Sequence, residues 1–280
     1  MDTLYHYCST QTFHSIICNK SIRLSSLSLS NDTMEGRLVN ASLQKLPHYL
    51  ELGTSDRLTV MNALKQLETL VDGLGFCLSE EGDLLSQWRG YAQDGSGLSI
   101  GFSRSYLNLL AADSKQFQVN QVVYQAEEHA AAVTPTFNEI KSLIAAGAIP
   151  KRGIINEAQL SEEQKEVDLN RRMKADMNVY TKAISFLPVL FTLKTAAFKE
   201  EKEWRLIAHL SQLDHACEYQ ARPGMLVPFR TVVLPVERET PIVEVVLGPK
   251  HLTPINVVEG LLLRAGFGAA KVLRSAATYR

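Results

Sequence analysis

Residues 199–210 read K-E-E-K-E-W-R-L-I-A-H-L, and apolar residues occupy every second position from Trp204 to Leu210. In a β-strand, successive side chains point to opposite faces, so this pattern predicts a strand, placed at 203–210, with one apolar and one charged face. The apolar face holds Trp204, Leu206, Ala208 and Leu210. The other face holds Glu201, Glu203, Arg205, Ile207 and His209. The two acids therefore project to the same side, with the arginine next in line.

Similar patterns predict the other elements of the chain. Alternation or short apolar runs predict strands at 4–8, 22–29, 117–124, 190–193, 242–247 and 271–273. Spacings of three and four predict helices over 35–71, broken at Pro47, and over 84–92. Near the C-terminus, Thr253 is predicted to cap a helix that begins at Pro254 and closes at Gly266.

Residues 125–183 have a different character, being rich in alanine and charged residues. We interpret them as a helical insertion, because their apolar positions are too scattered to form an independent core. Ser161 and Gln164 form a predicted capping box at the start of one of its helices. The chain is thus predicted to be one α+β domain, residues 1–280. Its expected architecture is a largely antiparallel or mixed sheet with flanking helices and the helical insertion.

The composition is that of an ordinary globular protein, with 45% apolar and 21% charged residues in 280. A formal net charge of −1 gives no overall attraction to nucleic acid or to an acidic membrane. The four cysteines have no C-x-x-C spacing, and the N-terminus has no apolar signal segment. The apolar run 184–193 is too short to span a bilayer. We therefore expect a cytoplasmic location and no membrane partner.

Several common sites lack their motifs. The chain has no Walker loop, G-x-G-x-x-G, H-E-x-x-H or G-x-S-x-G. His209, His215 and Cys217 do not have the spacing of a structural zinc site, so no metal is expected.

The 199–210 segment itself permits three functions. A carboxylate on a rigid strand can stabilise an oxocarbenium-like centre at a sugar carbon, and a neighbouring His or Arg can orient the ribose, as ADP-ribose transfer from NAD requires. Alternatively, Glu200 and Lys202 form an E-x-K pair of the kind that magnesium-dependent nucleases use, although the strand before it supplies no aspartate. In the third interpretation the segment is a structural ion-pair strand of a non-catalytic binding or regulatory module.

Several separate motifs, in order, resemble the uncharacterised bacterial family DUF2971. They are Y-H-Y-C-S, S-L-S-L-S-N-D-T-M-E-G, F-C-L-S-E with L-L-S-Q-W-R-G-Y-A and G-L-S-I-G-F, E-K-E-W-R-L-I, and V-V-L-G-P-K. The chain departs from the family pattern at Cys8, where threonine is usual, and at residues 31–33, where N-D-T replaces N-D-P.

That family is in turn similar to the ADP-ribosyltransferase fold, and this similarity implies a role for each motif residue. His6 would hold the nicotinamide ribose, and Glu203 would be catalytic, with Glu201 completing an E-x-E pair and Arg205 positioning it. Tyr7, Ser79 and Tyr91 are the further candidates for cofactor binding. The resemblance implies NAD as co-substrate and a place in bacterial defence or toxin-type systems. It leaves the acceptor, whether protein, nucleic acid or water, open.

Overall fold

The computed structural model describes residues 2–30, 34, 36–114, 116–146, 161–210, 214–236 and 239–279. Its strands are β1 Thr3–Cys8, β2 Ser21–Ser26, β3 Asp72–Ser79, β4 Leu98–Ser103, β5 Gln118–Gln121, β6 Glu203–Leu210, β7 Glu218–Arg222, β8 Met225–Val233, β9 Ile242–Leu247 and β10 Lys271–Arg274. Its α-helices are α1 Thr10–Asn19, α2 Leu38–Leu43, α3 Pro47–Leu50, α4 Thr54–Leu70, α5 Leu85–Tyr91, α6 Arg104–Ser114, α7 Ala126–Ala145, α8 Glu162–Ala183, α9 Leu187–Leu190 and α10 Ile255–Ala265.

The strands form one mixed, mostly antiparallel sheet, in the order β10-β9-β4-β1-β3-β2-β8-β7. β6 leaves this path and pairs with β3 and β5. Of the paired strands described, β10 and β9 are parallel to each other, as the crossover through α10 requires. The predicted α+β class with flanking helices is therefore confirmed.

Contacts divide the chain into two compact units, and both are discontinuous in sequence. The first comprises residues 1–29, 73–122 and 196–280. The second comprises residues 30–72 and 123–195, so the helical segment 125–183 belongs to it together with the earlier helices.

The core of the first unit lies on one face of its sheet. Alternate residues of the strands project into it, including Leu4 of β1, Phe76 of β3, Ile100 of β4 and Leu206 of β6. The residues between these positions on each strand point to the opposite face of the sheet. There, Tyr7 packs with Trp88 of α5 in a smaller apolar cluster. Trp88 and Trp204 are both buried, as their apolar stripes predict.

The second unit is helical. α4 packs on α8, and α7 packs on both α2 and α8. Its buried side chains include Leu64, Leu67, Val133, Phe137 and Val179. α7 and α8 confirm the helical character predicted for the described part of 125–183, and the Ser161–Gln164 capping box is present.

Two local predictions are wrong. The strand predicted at 190–193 is not formed: residues 187–190 are the short helix α9, since Pro188 lies in its first turn, where proline is favoured. Leu193 makes an isolated bridge with Val123. Thr253 does not cap α10, since the cap position falls on Pro254 and no side chain makes the capping bond.

The C-terminal segment 275–279 is bound to the loop before α5 through Asp83. The Asp83 carboxylate accepts hydrogen bonds from Trp88 Nε1 at 2.6 Å, Ser275 Oγ at 2.5 Å and the Ala276 backbone N–H at 2.7 Å. One acid thus joins α5 to the end of the chain.

We expect the hydrogen bonds between Asp83 and the C-terminal segment to weaken in acid. Burial alone would raise the pKa of Asp83, but the donors on Ser275, Trp88 and Ala276 outweigh it and hold the pKa below its ordinary value. Such a group stabilises the fold above its unfolded pKa, near 4, and the contribution is lost as pH falls through the folded pKa.

Asp83→Asn should remove that part of the pH dependence and lower the free energy of unfolding at neutral pH by about 1 kcal/mol, a small value because Asp83 is exposed. Urea unfolding of the variant and the wild type across the acid range measures both effects. Identical pH profiles for the two proteins would contradict the prediction.

Candidate functional site

The motif residues meet where β3 ends and β6 begins. Ser79 Oγ donates to the Glu201 carbonyl at 2.8 Å, and the Glu80 N–H donates to the Lys202 carbonyl at 3.1 Å. Lys202 has φ +45°, a left-handed conformation that non-glycine residues seldom adopt. These bonds fix the backbone of 201–202 against the end of β3.

Glu201 is buried at this junction, beneath Tyr91. The Tyr91 hydroxyl donates to Glu201 Oε1 at 2.9 Å. Glu201 is 8% exposed, whereas Tyr91, at the end of α5, is 41% exposed. The carboxylate therefore lies just below the surface, with a partly exposed phenol above it.

Glu203 and Arg205 form a buried ion pair on β6. Arg205 Nε donates to Glu203 Oε1 at 2.7 Å, and Arg205 Nη2 donates to Oε2 at 3.0 Å. Their side chains are 6% and 1% exposed. Alternation along β6 places both on the face opposite Leu206 and the main core. This charged face of β6 is therefore buried at Glu203 and Arg205.

The strand predicted at 203–210 is confirmed, but Glu201 does not lie on it, so the expectation that both acids project from one strand is wrong. β6 starts at Glu203, and Glu201 belongs to the 3₁₀ helix Ala196–Glu201. Glu200 lies in the same short helix and is exposed, and Lys202 donates to Glu81 Oε1 at 2.6 Å. Glu200 and Lys202 therefore do not share a strand face, which removes the geometric basis of the nuclease alternative.

His6 lies on the other side of the sheet from the Glu203–Arg205 pair. It alternates with Tyr5 and Tyr7, and its ring stacks on Phe76 of the main core with centroids 4.0 Å apart. Its Nδ1 lies 2.8 Å from the Cys77 carbonyl oxygen. Burial lowers the pKa of His6 to about 4, against the opposing effect of that bond. The structure does not bring His6 to the carboxylates.

Tyr7 and Ser79 lie on the same face as the carboxylates, but their polar atoms bind backbone. The Tyr7 hydroxyl donates to the Glu81 carbonyl at 2.8 Å and accepts from the Leu84 N–H at 2.8 Å. Burial raises the pKa of Tyr7. With the bond of Ser79 to Glu201, these contacts order the loop between β3 and α5.

Three acids near this junction were not predicted. Glu80 accepts from Trp204 Nε1 at 2.8 Å, Glu81 accepts from Lys202, and Glu244 accepts from the Tyr5 hydroxyl at 3.0 Å. Burial and Glu244 raise the pKa of Tyr5 to about 12. For Glu80 and Glu81, the signal in the sequence was the pair of acids directly after C-L-S.

Within the described ranges, no three His, Cys, Asp or Glu side chains are grouped so that they could hold a metal ion. Nor does any helix in that part of the chain have the length and apolar character needed to cross a membrane.

Residues 87–206 match the model of a family described as "Protein of unknown function (DUF2971)". The resemblance to DUF2971 is confirmed. The matched segment runs from α5 into β6, so it includes Tyr91, Glu201, Glu203 and Arg205. The match does not test the similarity of this family to the ADP-ribosyltransferase fold. Residues 31–33, where the chain departs from the DUF2971 pattern, lie outside the described residues.

Comparison with curated proteins gave no significant match, and neither did comparison with solved structures.

Proposed function

We propose that the chain cleaves the bond between nicotinamide and ribose in NAD, with Glu201 as the carboxylate that faces the reacting sugar. The observation that carries this proposal is a buried carboxylate held by a partly exposed phenol, Tyr91, at a fixed backbone junction. A carboxylate held in a low-dielectric position can stabilise the positive charge that develops at a sugar carbon.

Glu201 is a better candidate than Glu203 for this role. Both oxygens of Glu203 accept from Arg205, so its charge is already balanced by a guanidinium. Glu201 Oε1 accepts from the Tyr91 hydroxyl, a neutral donor that orients the carboxylate toward the partly exposed ring. In this proposal, the Glu203–Arg205 ion pair holds the start of β6 rigid, two residues after Glu201.

The chemistry needs few groups. The bond between the ribose carbon and the nicotinamide nitrogen breaks, and nicotinamide leaves as a neutral base with the bonding electrons. An acceptor oxygen or nitrogen then bonds to the same carbon and loses its proton. The exposed ring of Tyr91 offers a flat surface to the nucleotide. His6 has no role in this scheme, because the sheet separates it from β6's charged face.

NAD is the co-substrate in this proposal, and no metal takes part. The acceptor is water or a group on a protein or nucleic acid. We place the activity in the cytoplasm, because the four cysteines are free thiols, as a reducing compartment favours. The proposed role in a defence or toxin-type system comes from the family resemblance alone.

The direct test is nicotinamide release from NAD by the purified full chain, with and without cell extract as a source of acceptors. Isothermal titration with NAD accompanies it, because a missing acceptor would hide turnover but not binding. We expect NAD binding and nicotinamide release. If the chain neither binds NAD nor releases nicotinamide, the proposal is rejected.

A non-catalytic binding or regulatory module is the second candidate, and the closed ion pair of Glu203 and Arg205 favours it. A buried pair whose hydrogen bonds are satisfied has the geometry of a structural element. NAD binding without nicotinamide release, in the presence of extract, would favour this candidate.

A further inference from the structure

β7 forms an outer edge of the sheet and is open to solvent. It is the last strand in the order and pairs with β8 alone among the residues that the structure describes. Four of its five residues are exposed, and the fifth, Gln220, is partly so. An edge strand presents unpaired backbone N–H and C=O groups, which can accept another strand.

The charges at the two ends of β7 are opposite. Glu218 begins the strand and Arg222 ends it. If two copies pair antiparallel about a two-fold axis at Gln220, Glu218 of each copy lies opposite Arg222 of the other. Directly opposite residues have Cβ atoms about 4.5–5.5 Å apart, close enough for an ion pair. Arg222 has no acidic partner within the described part of its own chain.

This charge pattern also selects one register. Moving the two-fold axis to Tyr219 or Ala221 places a charged residue opposite Gln220. Moving it to Glu218 or Arg222 places like charges opposite each other, which is destabilising. Only the register centred on Gln220 pairs both charges with their opposites.

The same register extends an apolar row from one copy to the other. Within the hairpin, Leu226 lies opposite Ala221 and Pro228 lies opposite Tyr219, so these four side chains share one face. Leu226 is 66% exposed and Tyr219 is 54% exposed. In the two-fold pairing, Ala221 of each copy meets Tyr219 of the other. Each row across the four strands then consists of Leu226, Ala221, Tyr219 and Pro228.

We propose that the chain forms a two-fold symmetric homodimer in which β7 pairs antiparallel with β7 of a second copy. The pairing is isologous, so each contact occurs twice. It hydrogen-bonds the backbone groups on the open side of β7 and places Glu218 opposite Arg222 of the other copy. It also covers the exposed Tyr219 and Leu226.

The test measures the mass of the full chain in solution by sedimentation or by light scattering after gel filtration. The wild type should have twice the mass of the 31.1 kDa chain. Glu218→Arg alone and Arg222→Glu alone should each raise the dimer dissociation constant at least about tenfold, since each places like charges opposite each other.

A mixture of the two single variants provides the decisive arm. The arginine introduced at position 218 of one variant would face the glutamate introduced at position 222 of the other. The unaltered Arg222 of the first would face the unaltered Glu218 of the second, so the mixture should form a heterodimer of near wild-type strength. Lys271→Glu, on the exposed edge strand β10, is the matched control and should not change the mass. Circular dichroism confirms that each variant is folded.

A monomeric wild type at the highest soluble concentration would overturn the proposal. So would single variants that dimerise as tightly as the wild type, because the interface would then lie elsewhere. Failure of two folded single variants to associate on mixing would reject the register centred on Gln220.

Discussion

Replacing Arg205 with methionine is expected to lower the free energy of unfolding by about 3–5 kcal/mol. In the wild type the Glu203 side chain is 6% exposed, and the Arg205 guanidinium binds both its oxygens. The variant leaves this buried carboxylate without the guanidinium. A buried charge that loses its partner keeps its full desolvation penalty, which is larger than the net contribution of most surface ion pairs. Chemical denaturation with urea, monitored by circular dichroism, measures the change.

Two further variants separate this effect from a general loss of charge. Adding Glu203→Gln to Arg205→Met removes the buried charge that lost its guanidinium, so the double variant should recover much of the lost stability. Lys202→Met breaks the exposed ion pair with Glu81 and should leave the unfolding midpoint almost unchanged. An Arg205→Met variant as stable as Lys202→Met would mean that the pair does not support the fold.

The alternation around β6 predicted the faces of the strand correctly but not their surroundings. Trp204, Leu206 and Ala208 do face the main core. Charged residues are usually exposed, so the residue types on the opposite face give no indication of burial. That face is nevertheless buried, and the Glu203–Arg205 pairing that makes burial tolerable depends on two side chains adopting one geometry, which a pattern of residue types does not specify.

The start of β6 shows a second limit. Residues 199–202 are all charged, and nothing in their pattern marks a break before Glu203. Lys202 nevertheless adopts φ +45°, and the preceding residues form a 3₁₀ helix. The turn is fixed by bonds from Ser79 and Glu80, more than one hundred residues earlier in the chain. Local periodicity contains no information about such distant partners.

The position of His6 shows why a site cannot be assembled from separate strands. Alternation tells which residues of one strand share a face, but not which face of one strand matches which face of another. β1 places His6 on the side of Phe76, and β6 places Glu203 on the opposite side. Of the residues that the resemblance implies for cofactor binding, Tyr91 and Ser79 are the two that bind Glu201.

If Glu201 is the reacting carboxylate, Glu201→Gln should reduce nicotinamide release by about 10²–10³-fold, the usual effect of removing one electrostatic contact to a transition state. The amide oxygen of glutamine can still accept from the Tyr91 hydroxyl, so the fold and NAD binding should change little. Turnover measured by chromatography, together with NAD titration, distinguishes a lost reaction from a lost ligand.

The neighbouring acid supplies the matched control for this experiment. Glu200 lies in the same 3₁₀ helix but is exposed, so Glu200→Gln should retain wild-type turnover. Tyr91→Phe removes the hydroxyl that orients Glu201 and should reduce turnover by less than Glu201→Gln, because the carboxylate charge remains. Wild-type turnover in Glu201→Gln, or an equal loss in Glu200→Gln, would show that the reaction does not depend on the buried carboxylate.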